Sequence, residues 1–213
     1  MTARKPITIV DYGLGNLASI SNMLKRVGAT SRLASTPEEI AAATSIILPG
    51  VGAFDHGMQN LRERGLVEPL TSKAIEERVP VLGLCLGMQL LVSASEEGKE
   101  KGLGWIGGHC VRFKRTESAP DIRIPHMGWN RVARTREHPL LAELGPDARF
   151  YFVHAYHLVD VDEIDQVGQT IHGVRFPSIV ARDNLMGVQF HPEKSHRFGM
   201  ALMHAFARLS QAA

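Results

Sequence analysis

Three short aliphatic runs near the start of the chain, each ending close to glycine or proline, constrain the fold most. They are Ile7–Val10, Ser45–Leu48 and Pro80–Leu84. Apolar runs of this length, cut off by turn residues, are typical of strands buried on both faces of a sheet. Segments with helical spacing of apolar residues separate them, including 16–27 and 66–77. Strand and helix alternate, which predicts a parallel α/β sheet.

The second half of the sequence has a different pattern, with short alternating strands followed by a helix over about 196–209. Several of these strands are expected to pair antiparallel at one edge of the sheet. No linker divides the sequence. We therefore expect a single domain over residues 1–213, with a mostly parallel central sheet, flanking helices and antiparallel edge strands. The predicted strands of this half are 111–113, 150–153, 157–161, 179–181 and 187–190.

Composition excludes several classes of partner. The 213 residues include 24 Lys and Arg and 22 Asp and Glu, a formal net charge of +2. This near-balance gives no reason to expect nucleic acid or a membrane surface as partner. No apolar run approaches the roughly 20 residues that span a bilayer, and the N-terminus lacks the apolar centre of a signal peptide. With two cysteines in the chain, we expect a reducing, cytoplasmic location, and we expect no metal or other cofactor.

The segment around Cys85 is the first candidate for chemistry. Gly83 and Gly87 flank it between a predicted strand and a predicted helix, as in a strand–turn–helix nucleophile elbow. Such a turn needs small neighbours, its helix N-terminus favours a thiolate, and its free N–H groups can bind an oxyanion. A buried core cysteine is the alternative, and the glycines alone do not decide between them. Cys110 lacks this setting and is expected to be structural.

His191 is the candidate base among the 10 histidines. It follows a predicted strand, and site residues collect at the carboxyl ends of strands in α/β sheets. Glu193 can accept a hydrogen bond from the imidazole and fix its tautomer, while Pro192 restricts the backbone between them. Each residue alone could be an ordinary polar residue at a strand end or on the surface. Together with the elbow at Cys85, they predict a Cys–His–Glu triad.

Motifs along nearly the whole chain resemble the class I, or triad, glutamine amidotransferases. Within this family, the chain is most similar to glutaminase subunits of imidazole glycerol phosphate synthase, an enzyme of histidine biosynthesis. The segments 83–89 and 189–193 carry the family resemblance, and 11–17, 49–54, 125–130, 151–154 and 191–195 carry the closer similarity.

The resemblance implies a flavodoxin-like fold and a glutaminase reaction. Cys85 would attack the side-chain amide of glutamine, a glutamate thioester would form and ammonia would leave. Water activated by His191 would then release glutamate, with Glu193 as the orienting group. The resemblance also implies a heterodimer with a cyclase partner that forms a (β/α)8 barrel. There the ammonia joins a ribonucleotide intermediate and yields imidazole glycerol phosphate and an aminoimidazole carboxamide ribotide.

The matched motifs also imply an oxyanion hole and a substrate contact. The backbone N–H groups of Leu86 and of the loop residues Gly50, Val51 and Gly52 are expected to form the oxyanion hole. Gln89 lies one helical turn after the predicted nucleophile and is expected to face glutamine. Without the resemblance, the loop would be an ordinary tight turn and Gln89 an ordinary helix residue.

Two further groups of residues take their roles from the resemblance. Backbone groups of His154, Ala155 and Tyr156 are expected to hold the amino-acid end of the substrate. Three residues are expected at the partner interface or along the ammonia passage: Asn16, Trp129, Lys194.

Some features leave alternatives open. Family members often have a hydroxyl residue where this chain has Ala155, so substrate affinity depends on whether backbone or hydroxyl groups bind. The segment 194–200 resembles paralogues that deliver ammonia to a modified sugar in surface-polysaccharide synthesis. An inactive binding or regulatory module of the same fold is a second alternative, which the intact Cys85, His191 and Glu193 oppose. A cysteine hydrolase acting on peptides is a third.

Overall fold

The computed structural model describes residues 5–117 and 119–212; residues 1–4, 118 and 213 of the predicted domain lie outside the described residues. Strands of the described chain fall into one large sheet and two small ones. In chain order they are β1 (Ile7–Val10), β2 (Ser31–Ala34), β3 (Ile46–Leu48), β4 (Val81–Leu84), β5 (His109–Arg112), β6 (His126–Arg131), β7 (Ala133–Arg134), β8 (Arg149–His154), β9 (Tyr156–Val159), β10 (Gln166–His172), β11 (Val174–Arg182) and β12 (Leu185–Val188).

Helices cover both faces of the large sheet, and two hydrophobic clusters form the core on either side of it. They are α1 (Leu17–Arg26), α2 (Pro37–Ala41), α3 (Phe54–Glu63), α4 (Val67–Thr71), which continues into a π-helical turn at Ser72–Glu76, α5 (Leu86–Leu90) and α6 (His196–Ala212). Short 3₁₀ turns occur at Pro139–Leu141, Glu163–Asp165 and Pro192–Lys194. No helix in the described ranges is long and apolar enough to cross a bilayer.

The large sheet has eight strands in the order β2-β1-β3-β4-β12-β11-β10-β7. The strands from β2 to β12 are parallel, and β11, β10 and β7 continue the sheet with antiparallel pairing. The predicted α/β fold class, with a mostly parallel sheet and antiparallel edge strands, is confirmed. The small sheets pair β5 with β9 and β6 with β8, both antiparallel.

The pairing of β4 with β12 positions the candidate site. The two strands are parallel, with Gly83 opposite Gly187, so their carboxyl ends meet at the same edge of the sheet. Cys85 follows β4 directly, and its N–H donates to the carbonyl of Val188 at 2.8 Å. His191 follows β12 after two further residues. A nucleophile and a base from distant parts of the sequence thus reach one place.

The small sheet of β6 and β8 joins this edge through backbone contacts. The N–H of His191 donates to the carbonyl of Tyr151 on β8 at 2.9 Å. The N–H of Tyr151 donates to the hydroxyl of Ser195 at 3.0 Å. These bonds attach β8, and therefore the segment that follows it, to the chain that leaves β12.

Several elements differ from the sequence prediction. The helix expected over 66–77 includes the π-helical turn, and the helix expected over 86–93 ends at Leu90. The prediction missed β2, α3, β6 and β10 because polar or glycine residues interrupt their apolar patterns. The charged, glycine-flanked sequence of 95–102 predicts an exposed loop; the segment is a loop, but Ser95 is buried and the segment contacts α3.

Close packing between α5 and β3 leaves no room for a side chain at Gly87. A Cβ there would lie 1.8 Å from the carbonyl oxygen of Leu48. We therefore expect Gly87→Ala to lower the free energy of unfolding by about 3 kcal/mol or more, as measured by denaturant unfolding. Gly107→Ala is the matched control, because its Cβ would come no closer than 3.7 Å to the nearest atom. Equal stability of the two variants would contradict this packing.

Candidate active site

The backbone at Cys85 is strained in the way that a nucleophile elbow requires. Its φ of 52° and ψ of −107° lie in a region that L-residues rarely adopt. A Cβ at Gly83 would lie 2.7 Å from the carbonyl oxygen of Gly87, so the turn is possible only with glycine there. Cys85 occupies the N-cap position of α5, where the partial positive charge of the helix terminus favours a thiolate.

The three predicted triad residues come together. His191 Nδ1 lies 2.8 Å from Glu193 Oε1, and both side chains are buried. Because the carboxylate takes the Nδ1–H, Nε2 is the ring nitrogen left for the Cys85 thiol. That Nε2 is buried and makes no hydrogen bond of ordinary geometry within the described part of the chain.

Two opposing influences set the charge of His191. Burial lowers its pKa, but the hydrogen-bonding capacity and negative charge of Cys85 and Glu193 outweigh burial and raise the pKa from 6.5 to about 10. The imidazole therefore carries a proton at neutral pH and lies beside the Cys85 sulfur. A protonated imidazole is the partner that a nucleophilic cysteine needs.

A cavity of about 230 Å³ opens beside the sulfur. Glu97 contributes to its wall, which the sequence prediction missed by treating this residue as part of an exposed loop. No local pattern identifies Glu97, because its place depends on contacts with α3, some 40 residues earlier in the chain. The described lining is Val51, Gly52, Cys85, Leu86, Gln89, Glu97, Val153, His154, Ala155, Tyr156 and His191.

The loop after β3 is held at both ends. At its start, the buried hydroxyl of Tyr12 donates to the carbonyl of Pro49 at 2.6 Å. At its end, Glu97 Oε2 accepts the N–H of Phe54 at 2.9 Å, which caps α3 from a distant loop. Burial raises the pKa of Tyr12 above its ordinary value and the charge of Cys85 adds to this, so the hydroxyl keeps its proton as a donor. Between the two ends, Val51 is 43% exposed.

Most of the predicted binding residues surround the cavity. Leu86 and Gln89 lie on α5, and His154, Ala155 and Tyr156 lie where β8 passes into β9. Ala155 offers the cavity a methyl group, so this position presents only backbone polar groups. Gly50 lies in the loop at a position where a side chain does not fit. A Cβ there would lie 2.5 Å from the Tyr12 hydroxyl.

The three predicted interface residues lie outside the cavity. Trp129 is 45% exposed on β6, and its ring lies parallel to that of His196 at 5.6 Å. Lys194 is exposed, with its Nζ 5.8 Å from the centre of the Tyr151 ring. Asn16 is exposed and its side chain caps α1 by accepting the N–H of Ser19.

Comparison with known families decides where the chain belongs. The family described as "Glutamine amidotransferase class-I" matches residues 8–208. The chain belongs to this family. The amidotransferase chain is 52% identical over 203 residues to "Imidazole glycerol phosphate synthase subunit HisH 2" of Pseudomonas aeruginosa, covering 95% of this chain and 99% of the relative. It is 48% identical over 202 residues to a relative of the same name in Methanococcus maripaludis, covering 95% and 98%.

Solved structures show the same fold for this amidotransferase. A crystal structure of a putative GMP synthase component from Thermoplasma acidophilum superposes with a TM-score of 0.75 at 14% identity, covering 100% of this chain and 96% of that one. A crystal structure of a glutamine amidotransferase gives a TM-score of 0.73 at 19% identity, covering 95% and 98%. At these identities the similarity concerns the fold alone.

Tyr12→Phe tests the anchor at the start of the loop. The substitution leaves the buried Pro49 carbonyl without its donor, which should lower the free energy of unfolding by about 1–3 kcal/mol. Tyr151→Phe is the control, because the hydroxyl of Tyr151 makes no hydrogen bond within the described residues. Denaturant unfolding that shows no difference between the variants would contradict a stabilising anchor.

Glu193→Gln tests the origin of the raised pKa of His191. Without the carboxylate, burial is opposed by Cys85 alone, so the pKa of His191 should fall. His191 stabilises the folded state fully below pH 6.5, its unfolded pKa, and this contribution is lost as pH rises through about 10. In Glu193→Gln the contribution should be smaller, and its loss should be complete at a lower pH.

An NMR titration of the His191 imidazole, assigned with His191→Asn, measures this shift. Glu143→Gln is the matched control, because Glu143 pairs with a different, exposed histidine, His204. An unchanged His191 pKa in Glu193→Gln would contradict the assignment of the shift to that carboxylate.

Proposed function

We propose that this chain is the glutaminase subunit of an imidazole glycerol phosphate synthase. The observation that carries the proposal is that Cys85 and His191 line one cavity while Glu193, also buried, holds His191 from behind. Relatives that match nearly the full length of the chain are named as subunits of that synthase, which supports the same role here.

The first half-reaction forms the thioester. The Cys85 thiolate attacks the carboxamide carbon of glutamine, and backbone N–H groups of Leu86 and of the loop at Gly50–Gly52 stabilise the oxyanion. The protonated His191 gives its Nε2 proton to the departing nitrogen as the C–N bond breaks. Ammonia leaves, and the γ-carbonyl of glutamate remains bound to the sulfur.

The second half-reaction releases glutamate. The neutral His191 takes a proton from water, the water oxygen attacks the thioester and the C–S bond breaks. The Cys85 thiolate and the protonated imidazole are restored. Glu193 holds the ring in the tautomer that keeps Nε2 directed to the sulfur in both halves.

The other groups of the cavity suit the amino-acid end of glutamine. The carboxylate of Glu97 matches the substrate ammonium, and the backbone at His154, Ala155 and Tyr156 offers polar groups to the remaining atoms. Gln89 uses both N–H groups of its amide within the protein, so its oxygen accepts from the substrate.

The proposed partner is a cyclase subunit with a (β/α)8 barrel, and the proposed location is the cytoplasm. Strand β6 supplies a surface suited to such a partner, since Met127 is 62% exposed and Trp129 is 45% exposed on the same side of the strand. Lys194 and Asn16 are exposed as well and complete the proposed interface and ammonia passage.

A second candidate partner is a sugar-modifying enzyme. The names of the relatives in P. aeruginosa and M. maripaludis carry the number 2, and such a number distinguishes subunits that share a name. The segment 194–200 resembles the corresponding segment of paralogues that act with such enzymes, which supports this alternative. The glutaminase chemistry is identical, so only the acceptor of the ammonia distinguishes the two candidates. Ammonia transfer assayed with each partner and its own acceptor separates them.

The proposal predicts that Cys85→Ala abolishes glutamine-dependent synthesis in the complex with the cyclase but leaves ammonia-driven synthesis and partner binding intact. Glutamate release and product formation measure the two activities. Cys110→Ala is the matched control and should retain glutamine use, because Cys110 is buried away from the cavity. No glutamate release by the unmodified complex with the acceptor-site ligand bound would reject the glutaminase proposal.

The isolated chain should be nearly inactive. We propose that the loop Pro49–Gly52 presents its N–H groups correctly only when the loaded partner is docked. The check compares glutamate release by the chain alone and by the complex. High turnover by the chain alone would show that the loop needs no partner.

A further inference from the structure

The backbone carbonyl of Tyr156 is the meeting point of two hydrogen-bonded chains. Its oxygen accepts from Gln89 Nε2 at 3.1 Å and from His154 Nδ1 at 2.7 Å. A carbonyl oxygen has two lone pairs and can only accept. Both partners must therefore be donors, and this sets the orientation of every group beyond them.

The first chain runs from Tyr156 to the nucleophile. Since the nitrogen of Gln89 faces Tyr156, its second N–H donates to Gln189 Oε1 at 3.1 Å. The nitrogen of Gln189 then faces Cys85 Sγ at 3.9 Å. Gln189 is completely buried. Amide orientations that are ordinarily ambiguous are determined here by the Tyr156 carbonyl.

The second chain runs from Tyr156 to strand β6. With a proton on Nδ1, neutral His154 must accept through Nε2, so His126 donates its Nδ1–H at 2.9 Å. His126 Nε2 in turn accepts from Asn130 Nδ2 at 3.1 Å, and Asn130 also donates to the carbonyl of Ile171. Burial lowers the pKa of His126 and of His154 to about 3, so both rings are neutral as the chain requires.

The far end of the second chain lies next to the surface. Asn130 follows Trp129 on β6, and His126 is paired with His154 across β6 and β8. The ring of His126 stacks on Phe152 and on His172. A continuous path of hydrogen bonds thus joins the exposed strand to the cavity wall.

We infer that Gln189 and His126 are positioning residues for glutamine. Gln189 orients the Gln89 amide directly, and His126 orients it through His154 and the Tyr156 carbonyl, which ties that orientation to strand β6. This inference rests on the proposed glutaminase function. Gln189 acts on Gln89 from the nucleophile side and also donates to the sulfur. His126 acts through His154 from the side of the proposed partner surface.

Replacing His126 by Phe keeps an aromatic ring for stacking but removes the donor to His154. In the complex with the cyclase, we expect the KM for glutamine to rise roughly five- to tenfold, as for one lost hydrogen bond, with kcat within about twofold of the unmodified value. His172→Phe is the matched control, because His172 stacks on the same ring but, among the described residues, its side chain bonds to the Arg123 carbonyl alone. A purely structural role would lower the active fraction, and therefore kcat, without raising KM.

Gln189→Met should raise KM to a similar degree and also lower kcat, because the sulfur loses a donor. Gln169→Met is the control, since Gln169 bonds to Gln166 on the antiparallel side of the sheet. In the double variant of Gln189 and His126, the KM increases should combine to less than their product, because both substitutions act on one chain. A fully multiplicative increase, or an unchanged KM in either single variant, would overturn the inference.

A measurement without glutamine separates this inference from the proposed function. Iodoacetamide alkylation of Cys85 can be located by mass spectrometry on the full chain. Its rate should be roughly threefold lower, or lower still, in Gln189→Met than in Gln169→Met. The reason is that the thiolate loses a long hydrogen bond whose free energy is about half that of an ordinary one. Equal rates would overturn the role of Gln189 even if the complex hydrolyses glutamine. A slower alkylation rate together with no glutamine hydrolysis by the unmodified complex would reject the proposed function. It would still support the hydrogen bond from Gln189 to the sulfur.

Discussion

The strained turn at Cys85 is the constraint on which the rest of the site depends. It exists because α5 packs so closely on β3 and on the end of β4 that Gly83 and Gly87 cannot carry side chains. The pairing of β4 with β12 then holds the turn from the other side, through the bond from the Cys85 N–H to Val188. The same pairing places His191 near the sulfur, so the contacts between β4 and β12 that stabilise the sheet also position the catalytic pair.

Three histidines at or near the cavity differ in charge because the groups beside them differ. Burial disfavours the protonated form of all of them. His191 has a buried carboxylate, Glu193, and the Cys85 sulfur beside it, and its pKa rises. His126 and His154 have no carboxylate partner among the described residues, and burial lowers their pKa values. One region therefore provides a protonated imidazole at the sulfur and neutral, hydrogen-bonded imidazoles on the cavity wall.

Local patterns in the sequence were sufficient for the sheet strands near the site and for the grouping of Cys85, His191 and Glu193. They worked because strand ends, flanking glycines and a two-residue spacing are local features. Glu97 and Gln189 were not identified as parts of the site, since their roles depend on partners 43 and 104 residues away. Strands β2, β6 and β10 were missed for a related reason: their mixed polar and apolar residues become strand-like only through pairing with neighbours.

The two anchors of the loop after β3 limit how that loop can move. Tyr12 holds its first carbonyl, and Glu97 holds the first N–H of the helix that follows, so only about four residues lie between fixed points. A segment this short has no room for a hinge or a lid. Its rearrangements are rotations of single peptide planes, which belong to the nanosecond-to-microsecond range of loop motions rather than to slower domain movements. The loop therefore changes its peptide orientations on that timescale, without any hinge motion.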